Sequence, residues 1–146
     1  MSNILQAIIN IAENPVTALP RHSPSRNTMN NMGKALEIYI QDVFAGTSEE
    51  EDAEARKHRL SEVFSYLGNQ NNPPDMMLLG GDAIEVKKLQ TYGSSIALNS
   101  SYPKHKLHAD DGRITDACKQ SEEWDIKDII YAVGVTNDTD LNHLWL

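Results

Sequence analysis

The chain contains 146 residues, of which 40% are apolar, and it carries a formal net charge of −8 at neutral pH. That length suits one domain with its own core rather than two, and the acidic balance argues against a broad nucleic-acid-binding surface, which usually has a basic footprint. Because no apolar run reaches the roughly 20 residues of a membrane span and the N-terminus lacks the basic flank of a signal peptide, we expect one cytoplasmic domain over residues 1–146.

The first predicted element is an amphipathic helix over residues 3–12, with Ser2 or Asn3 as its cap. Its apolar stripe, which would face the core or a partner, consists of Ile4, Leu5, Ile8, Ile9 and Ile11. A proline-rich loop then extends to about residue 31.

The loop contains three basic residues, Arg21, His22 and Arg26. They either reach a phosphate backbone or are simply solvated, as polar loop residues usually are.

A second amphipathic helix is predicted from about residue 31 to residue 44. Its apolar residues recur at Met32, Leu36, Ile40, Val43 and Phe44. Glu37 lies at the edge of this stripe, where a carboxylate is destabilising without a partner. Glu37 is therefore either an acid aimed at a site or a solvated helix residue. A third helix is predicted from Glu54 to Leu67.

A β-hairpin follows, with strands at residues 76–79 and 83–86 joined by a glycine turn. Side chains alternate along a strand, so Glu85 and Lys87 share one face. The hairpin can bring Asp75 back beside Glu85. Two carboxylates at a strand end form a hard oxygen site that suits Mg²⁺, and a neighbouring lysine can hold a water molecule or neutralise a phosphoryl oxygen. The alternative is a surface hairpin with ordinary exposed charges.

The second half is predicted to hold a short strand and polar loop over residues 94–107, a helix over 113–124, a central strand over 129–135 and the start of another strand at 141–146. The single cysteine, Cys118, is predicted to be a small buried residue. A locally basic cleft could form from clustered positive residues: Lys87, Lys88, Lys104, Lys106, Arg113, His105 and His108.

Several motifs resemble one known family. Pro74-Asp75, nine residues, and then Glu85-Val86-Lys87 resemble the signature of the PD-(D/E)XK nuclease superfamily. The phrases around it look like those of the NgoPII-type type II restriction endonucleases: residues 14–17 (NPVT), 30–33 (NNMG), 63–69 (VFSYLGN), 72–75 (NPPD), 81–87 (GDAIEVK) and 98–104 (LNSSYPK).

The resemblance implies an α/β fold, a restriction-endonuclease-like core in which helices flank a central mixed β-sheet. It implies Mg²⁺-dependent cleavage of double-stranded DNA by a homodimer at a short palindrome, GGCC, leaving 5′-phosphate ends. Asp75 and Glu85 match the metal ligands, with the Val86 carbonyl as a further ligand, and Lys87 matches the lysine that positions the attacking water. Glu37 is similar in placement to a helix acid of some members.

By the same resemblance, the candidate base-reading residues are Asn99, Ser100, Lys104 and Lys106. Members of this family are normally longer, so we expect the chain to be a shortened or N-terminal piece that carries the cleavage centre. Two alternatives stay open: a repair or non-specific nuclease of the same superfamily, and an inactive DNA-binding module.

Overall fold

A computed structural model describes residues 2–19, 28–69, 71–96, 104–137 and 139–146, without the side chains of 28–32. The helices are α1 (Ile4–Glu13), α2 (Thr28–Ala45), α3 (Ala53–Val63) and α4 (Asp116–Lys119). The strands are β1 (Phe64–Asn69), β2 (Asn72–Leu78), β3 (Ala83–Leu89), β4 (Lys106–His108), β5 (Ile126–Asn137) and β6 (Asp140–Trp145). No helix in these ranges is both long and apolar enough to cross a membrane.

The six strands form one mixed sheet in the order β1-β2-β3-β5-β4, with β6 also pairing with β5. β1, β2 and β3 are antiparallel, whereas β3 and β5 are parallel over the whole length of β3. The apolar strand predicted at residues 129–135 is therefore central, as expected. The fold is α/β with helices against a mixed sheet, which confirms the predicted class.

Both faces of the sheet are covered by apolar side chains. On one face, α2 packs on β2, β3 and β5 through a cluster that includes Leu36, Ile40, Phe44, Met76, Ile84 and Ala132. A smaller cluster on the other face contains Met77, Ala83, Leu107, Ile114 and Cys118. The sheet is thus a middle layer, and the alternating side chains of β3 point into different environments.

The contact between α2 and β5 is unusually close at Gly134. A methyl group at this position would lie 2.7 Å and 2.9 Å from the two terminal carbons of Leu36. Any larger residue at this position would therefore require the Leu36 side chain to move.

Two predicted helices differ from the observed ones. The third ends at Val63 rather than Leu67, because Phe64 is already extended and begins β1. Leu67 is 44% exposed and is not on a buried stripe. Only Asp116–Lys119 of the predicted helix over 113–124 is helical, and Ala117 is exposed. Residues 94–96 form no strand, and the rest of that predicted strand lies outside the described residues.

The apolar stripe predicted for α1 faces outward for the most part. Asn3 caps the helix by accepting a hydrogen bond from the Gln6 amide, as expected. Ala7 is buried, whereas three large apolar side chains remain about half exposed or more: Leu5, Ile8 and Ile9. α1 therefore presents an apolar surface that the rest of the described chain does not cover.

Candidate nuclease site

The candidate site lies where β2 and β3 separate. Backbone pairing between these strands is confined to Met76 with Ile84 and Met77 with Ala83. Beyond this point the side chain of Asp75 replaces the backbone partner: its Oδ2 atom accepts a hydrogen bond from the Val86 amide at 2.6 Å. The hairpin therefore brings Asp75 back to the strand that carries Glu85, as the sequence predicted.

Pro74 explains why the strands separate here. Extending the register by two residues would place Pro74 opposite Val86, and proline has no N–H group to donate to the ladder. The N–H and C=O groups of one residue in an extended strand point to the same side. The Val86 carbonyl is therefore directed toward the same opening as Asp75, where it can bind a ligand instead of pairing with a neighbouring strand.

Glu85 and Lys87 stand on one face of β3, next to this opening. The Lys87 Nζ atom lies 3.4 Å from Glu85 Oε2, and the two side chains are 23% and 13% exposed. Both charged groups are therefore partly removed from water and still accessible. Their pairing holds an ammonium group within reach of any molecule bound to the carboxylates.

Glu37 of α2 lies on the edge of the same region. Its Oε1 atom accepts a hydrogen bond from Lys34 at 3.0 Å, and its side chain is 18% exposed. It is close enough for its negative charge to contribute to the pKa of Asp75. Glu37 therefore belongs to the surroundings of the acidic pair rather than to an isolated surface.

Burial dominates the ionisation of Asp75. Removal from water, followed by repulsion from Glu85, raises its pKa from the ordinary 3.8 to about 7. The hydrogen bond from Val86 acts in the opposite direction but is weaker. Two crowded carboxylates of this kind are stabilised by a bound cation, which favours the ionised form of both.

The donor set fits a small hard cation. Carboxylates, backbone carbonyls and water molecules are the ligands that Mg²⁺ prefers. Within the described ranges, no group of three or more histidine, cysteine or acidic side chains is arranged to hold a metal ion. Ligation here would therefore depend on the Val86 carbonyl and on water in addition to Asp75 and Glu85.

The predicted DNA-contacting residues are only partly placed. Lys104 lies 3.6 Å from Asp111, and its amide donates to the Tyr131 hydroxyl. Lys106 is paired with exposed Asp128 at 2.7 Å. Asn99 and Ser100 lie outside the described residues, as do the loop residues Arg21, His22 and Arg26.

Cys118 is a buried structural thiol, in agreement with the sequence interpretation. Burial raises its pKa to about 11, and its sulfur lies 3.8 Å from that of Met77. Such a thiol remains protonated at neutral pH and does not act as a nucleophile.

Gly68 is a site-supporting residue that sequence reasoning missed. It lies in β1 against the backbone of the Pro74-Asp75 segment. A methyl group there would overlap the Pro74 carbonyl oxygen and lie 2.9 Å from that of Asp75. The glycine after a predicted helix looked like a helix end, so no sequence signal indicated a close contact between strands.

A buried ion pair between Lys127 and Glu122, which the sequence did not predict, binds the hairpin turn. Lys127 of β5 is 6% exposed, and its Nζ atom donates to the Leu78 carbonyl at 3.2 Å, the Gly81 carbonyl at 2.6 Å and the Glu122 carboxylate. Glu122 also accepts from the Gly80 amide at 2.7 Å and from Ser65 at 3.0 Å. The turn between the two site strands is therefore tied to β5.

Comparison with known proteins identifies the family. No solved structure matches the chain significantly. The family model described as NgoPII restriction endonuclease matches residues 2–146. The type II restriction enzyme NgoPII of Neisseria gonorrhoeae is 52% identical over 143 residues, which is 97% of this chain and 51% of that protein. The chain therefore belongs to the NgoPII restriction endonuclease family, and it spans about half the length of the relative that it matches.

The pKa of Asp75 leads to a stability prediction for the metal-free protein. The pKa of Asp75 is higher in the folded state than in the unfolded state, so protonation of Asp75 favours folding. This contribution to the free energy of unfolding is fully present below about pH 4 and is lost as the pH rises through about 7. In EDTA, Asp75→Asn should remove this loss and be more stable than wild type at pH 8 by on the order of 2 kcal/mol.

Urea unfolding at pH 5 and pH 8 measures this difference. The variant keeps all five histidines, so subtracting its pH dependence isolates Asp75. Parallel pH dependences for the two proteins would contradict the burial argument. Added Mn²⁺ should stabilise wild type at pH 8 and leave Asp75→Asn almost unchanged.

The contact at Gly68 gives a second prediction. Gly68→Ala should cost about 1–3 kcal/mol in the free energy of unfolding, because the obstructing atoms belong to the backbone and cannot rotate away. It should also weaken Mn²⁺ binding, since the backbone of Asp75 must move. Gly33→Ala is the control because a methyl group there meets nothing within 4 Å. Equal calorimetric affinities for Mn²⁺ in Gly68→Ala and wild type would show that Gly68 does not position Asp75.

Proposed function

We propose that this chain carries the cleavage centre of a type II restriction endonuclease, within a single PD-(D/E)XK nuclease domain. The reaction is hydrolysis of phosphodiester bonds in double-stranded DNA, with Mg²⁺ as the cofactor and a short palindrome, GGCC, as the site. One observation carries the proposal: Asp75, Glu85 and Lys87 meet at the opening between β2 and β3 in a chain that belongs to this family.

Asp75, Glu85 and the Val86 carbonyl would hold the ion. Bound there, Mg²⁺ would supply Lewis-acid chemistry, lowering the pKa of a bound water molecule and neutralising a phosphate oxygen. Lys87 orients the attacking water and offsets the negative charge that develops on the phosphate oxygens. Glu37 adds negative charge beside Asp75 and strengthens its preference for a cation.

The remaining parts of the proposal concern DNA binding and assembly. Asn99, Ser100, Lys104 and Lys106 are the proposed contacts to DNA, with amide and ammonium groups that suit base edges and phosphates. A palindrome is read most directly by two copies related by a twofold axis, so we propose a homodimer. The exposed apolar face of α1 supports subunit contact, because such patches commonly mark interaction surfaces.

A plasmid digest tests the proposed function. The purified protein is incubated with plasmid DNA of known sequence, in Mg²⁺ and in EDTA, and the fragment ends are sequenced. Discrete fragments with 5′-phosphate ends at GGCC, seen only with Mg²⁺, are the expected result. A smear would favour a non-specific nuclease, and intact plasmid under both conditions would contradict the proposed activity.

A further inference from the structure

We propose that Arg113, held by Asp111, forms with Lys104 a binding site for a DNA backbone phosphate next to the scissile one. This inference rests on the proposed function and deepens it. Arg113 is not part of the Asp-Glu-Lys constellation, and the sequence grouped it only with other positive residues in a possible basic cleft.

Lys104 and Asp111 are connected to Glu85 through β5. Glu85 of β3 is the strand partner of Tyr131. The Tyr131 hydroxyl accepts a hydrogen bond from the Lys104 amide at 2.9 Å. Lys104 Nζ in turn lies 3.6 Å from Asp111, the residue that holds Arg113. These contacts bring Lys104 and the Asp111 loop to the side of the sheet that carries Glu85.

Arg113 is also connected, independently, to the candidate site through β2. The Asn72 side chain donates to the Arg113 carbonyl at 2.8 Å. Asn72 opens β2, three residues before Asp75. The backbone of Arg113 is therefore attached to one strand of the candidate site, while its side chain is held by Asp111, which contacts Lys104 beside β5.

Asp111 orients the Arg113 side chain and leaves some of its donors available. Its Nε and Nη2 atoms donate to the Asp111 carboxylate at 3.0 Å and 2.6 Å, which leaves three of the five guanidinium N–H donors for a ligand. Arg113 is 41% exposed, whereas Asp111 is 14% exposed. The carboxylate is thus covered while the cation faces outward in one fixed orientation.

The local charge favours an anion. Two cations, Arg113 and Lys104, share one carboxylate, so the cluster is positive on a chain whose net charge is −8. Hydrogen bonds to Asp111 raise the pKa of Arg113, and the negative charge of Glu85 contributes to the same effect. An ordinary surface ion pair would need neither the second cation nor the backbone anchor at Asn72.

The test uses a short DNA duplex containing one GGCC site. Binding is measured without divalent ions at several salt concentrations, and cleavage is measured with Mg²⁺. Arg113→Ala should weaken binding about tenfold, reduce the slope of log Kd against log salt by about 1, and raise KM more than it lowers kcat. Arg113→Lys should keep the salt slope because it keeps the charge.

Arg59→Ala is the matched control. Arg59 is also a partly exposed arginine paired with a carboxylate, but it lies on α3. If Arg59→Ala changes Kd and the salt slope as much as Arg113→Ala, the effect is one of net charge and the inference is wrong. If wild type cleaves the duplex and Arg113→Ala matches it in Kd, slope and KM, the phosphate site is wrong and the proposed nuclease function stands. If wild type neither binds nor cleaves the duplex, both are wrong.

Discussion

Lys87→Ala is expected to reduce DNA cleavage by about 10³-fold while leaving DNA binding within a few fold of wild type. The ammonium group lies 3.4 Å from Glu85, where it can act on the attacking water and on the phosphate but does little to hold the duplex. Glu85→Gln should have a similar effect on cleavage, because it removes a negative ligand while preserving the size of the side chain. Single-turnover cleavage and a separate binding assay measure the two quantities.

Lys57→Ala is the control for charge, since Lys57 is an exposed lysine of α3 away from the opening between β2 and β3. It should cleave like wild type. Wild-type cleavage by Lys87→Ala or by Glu85→Gln would overturn the assignment of these residues. Loss of binding together with cleavage would instead give Lys87 a role in holding DNA.

Glu122→Ala is expected to destabilise the protein by about 3–5 kcal/mol, because it leaves the buried Lys127 charge without its carboxylate. Burial alone raises the pKa of Glu122, but the hydrogen bonds from Lys127, Gly80 and Ser65 together lower it. The stabilising contribution is therefore present above the ordinary pKa of glutamate, 4.5, and is lost as the pH falls through the lower folded-state value.

Urea unfolding of single and double variants tests this pair. Glu122→Ala with Lys127→Met should be more stable than Glu122→Ala alone, because no unpaired buried charge remains. Asp128→Ala, which breaks the solvent-exposed pair with Lys106, should change stability little. If Glu122→Ala behaves like Asp128→Ala, the pair does not hold the hairpin turn.

The hairpin and its charged face were predictable from local pattern. Glycines between two apolar segments specify the turn, and the alternation along β3 places Glu85 and Lys87 together. The approach of Asp75 to β3 was also predicted, because it follows from the hairpin. The catalytic and ligand roles of these residues, and of Glu37 and Val86, stay predictions.

Features that depend on contacts between distant segments were not predictable. Phe64 and Leu67 fit the spacing of a helix as well as that of a strand, and pairing with β2 decides in favour of β1. Likewise, Glu122 has ordinary helix propensity and was predicted to lie in a helix. Its carboxylate instead binds Lys127 and the hairpin turn, and α4 ends at Lys119. Tertiary contacts overrode local preference in both cases.

The absence of a side chain at Gly134 bears on the position of Glu37, at the edge of the acidic site. Leu36 of α2 packs directly on the β5 backbone there, in the space that a side chain at position 134 would occupy. Glu37 is the next residue along α2, so the position of its carboxylate depends on how α2 packs on the sheet. A larger residue at position 134 would require Leu36 to move, and we expect any accompanying shift of α2 to change the position of Glu37 relative to Asp75 and Glu85.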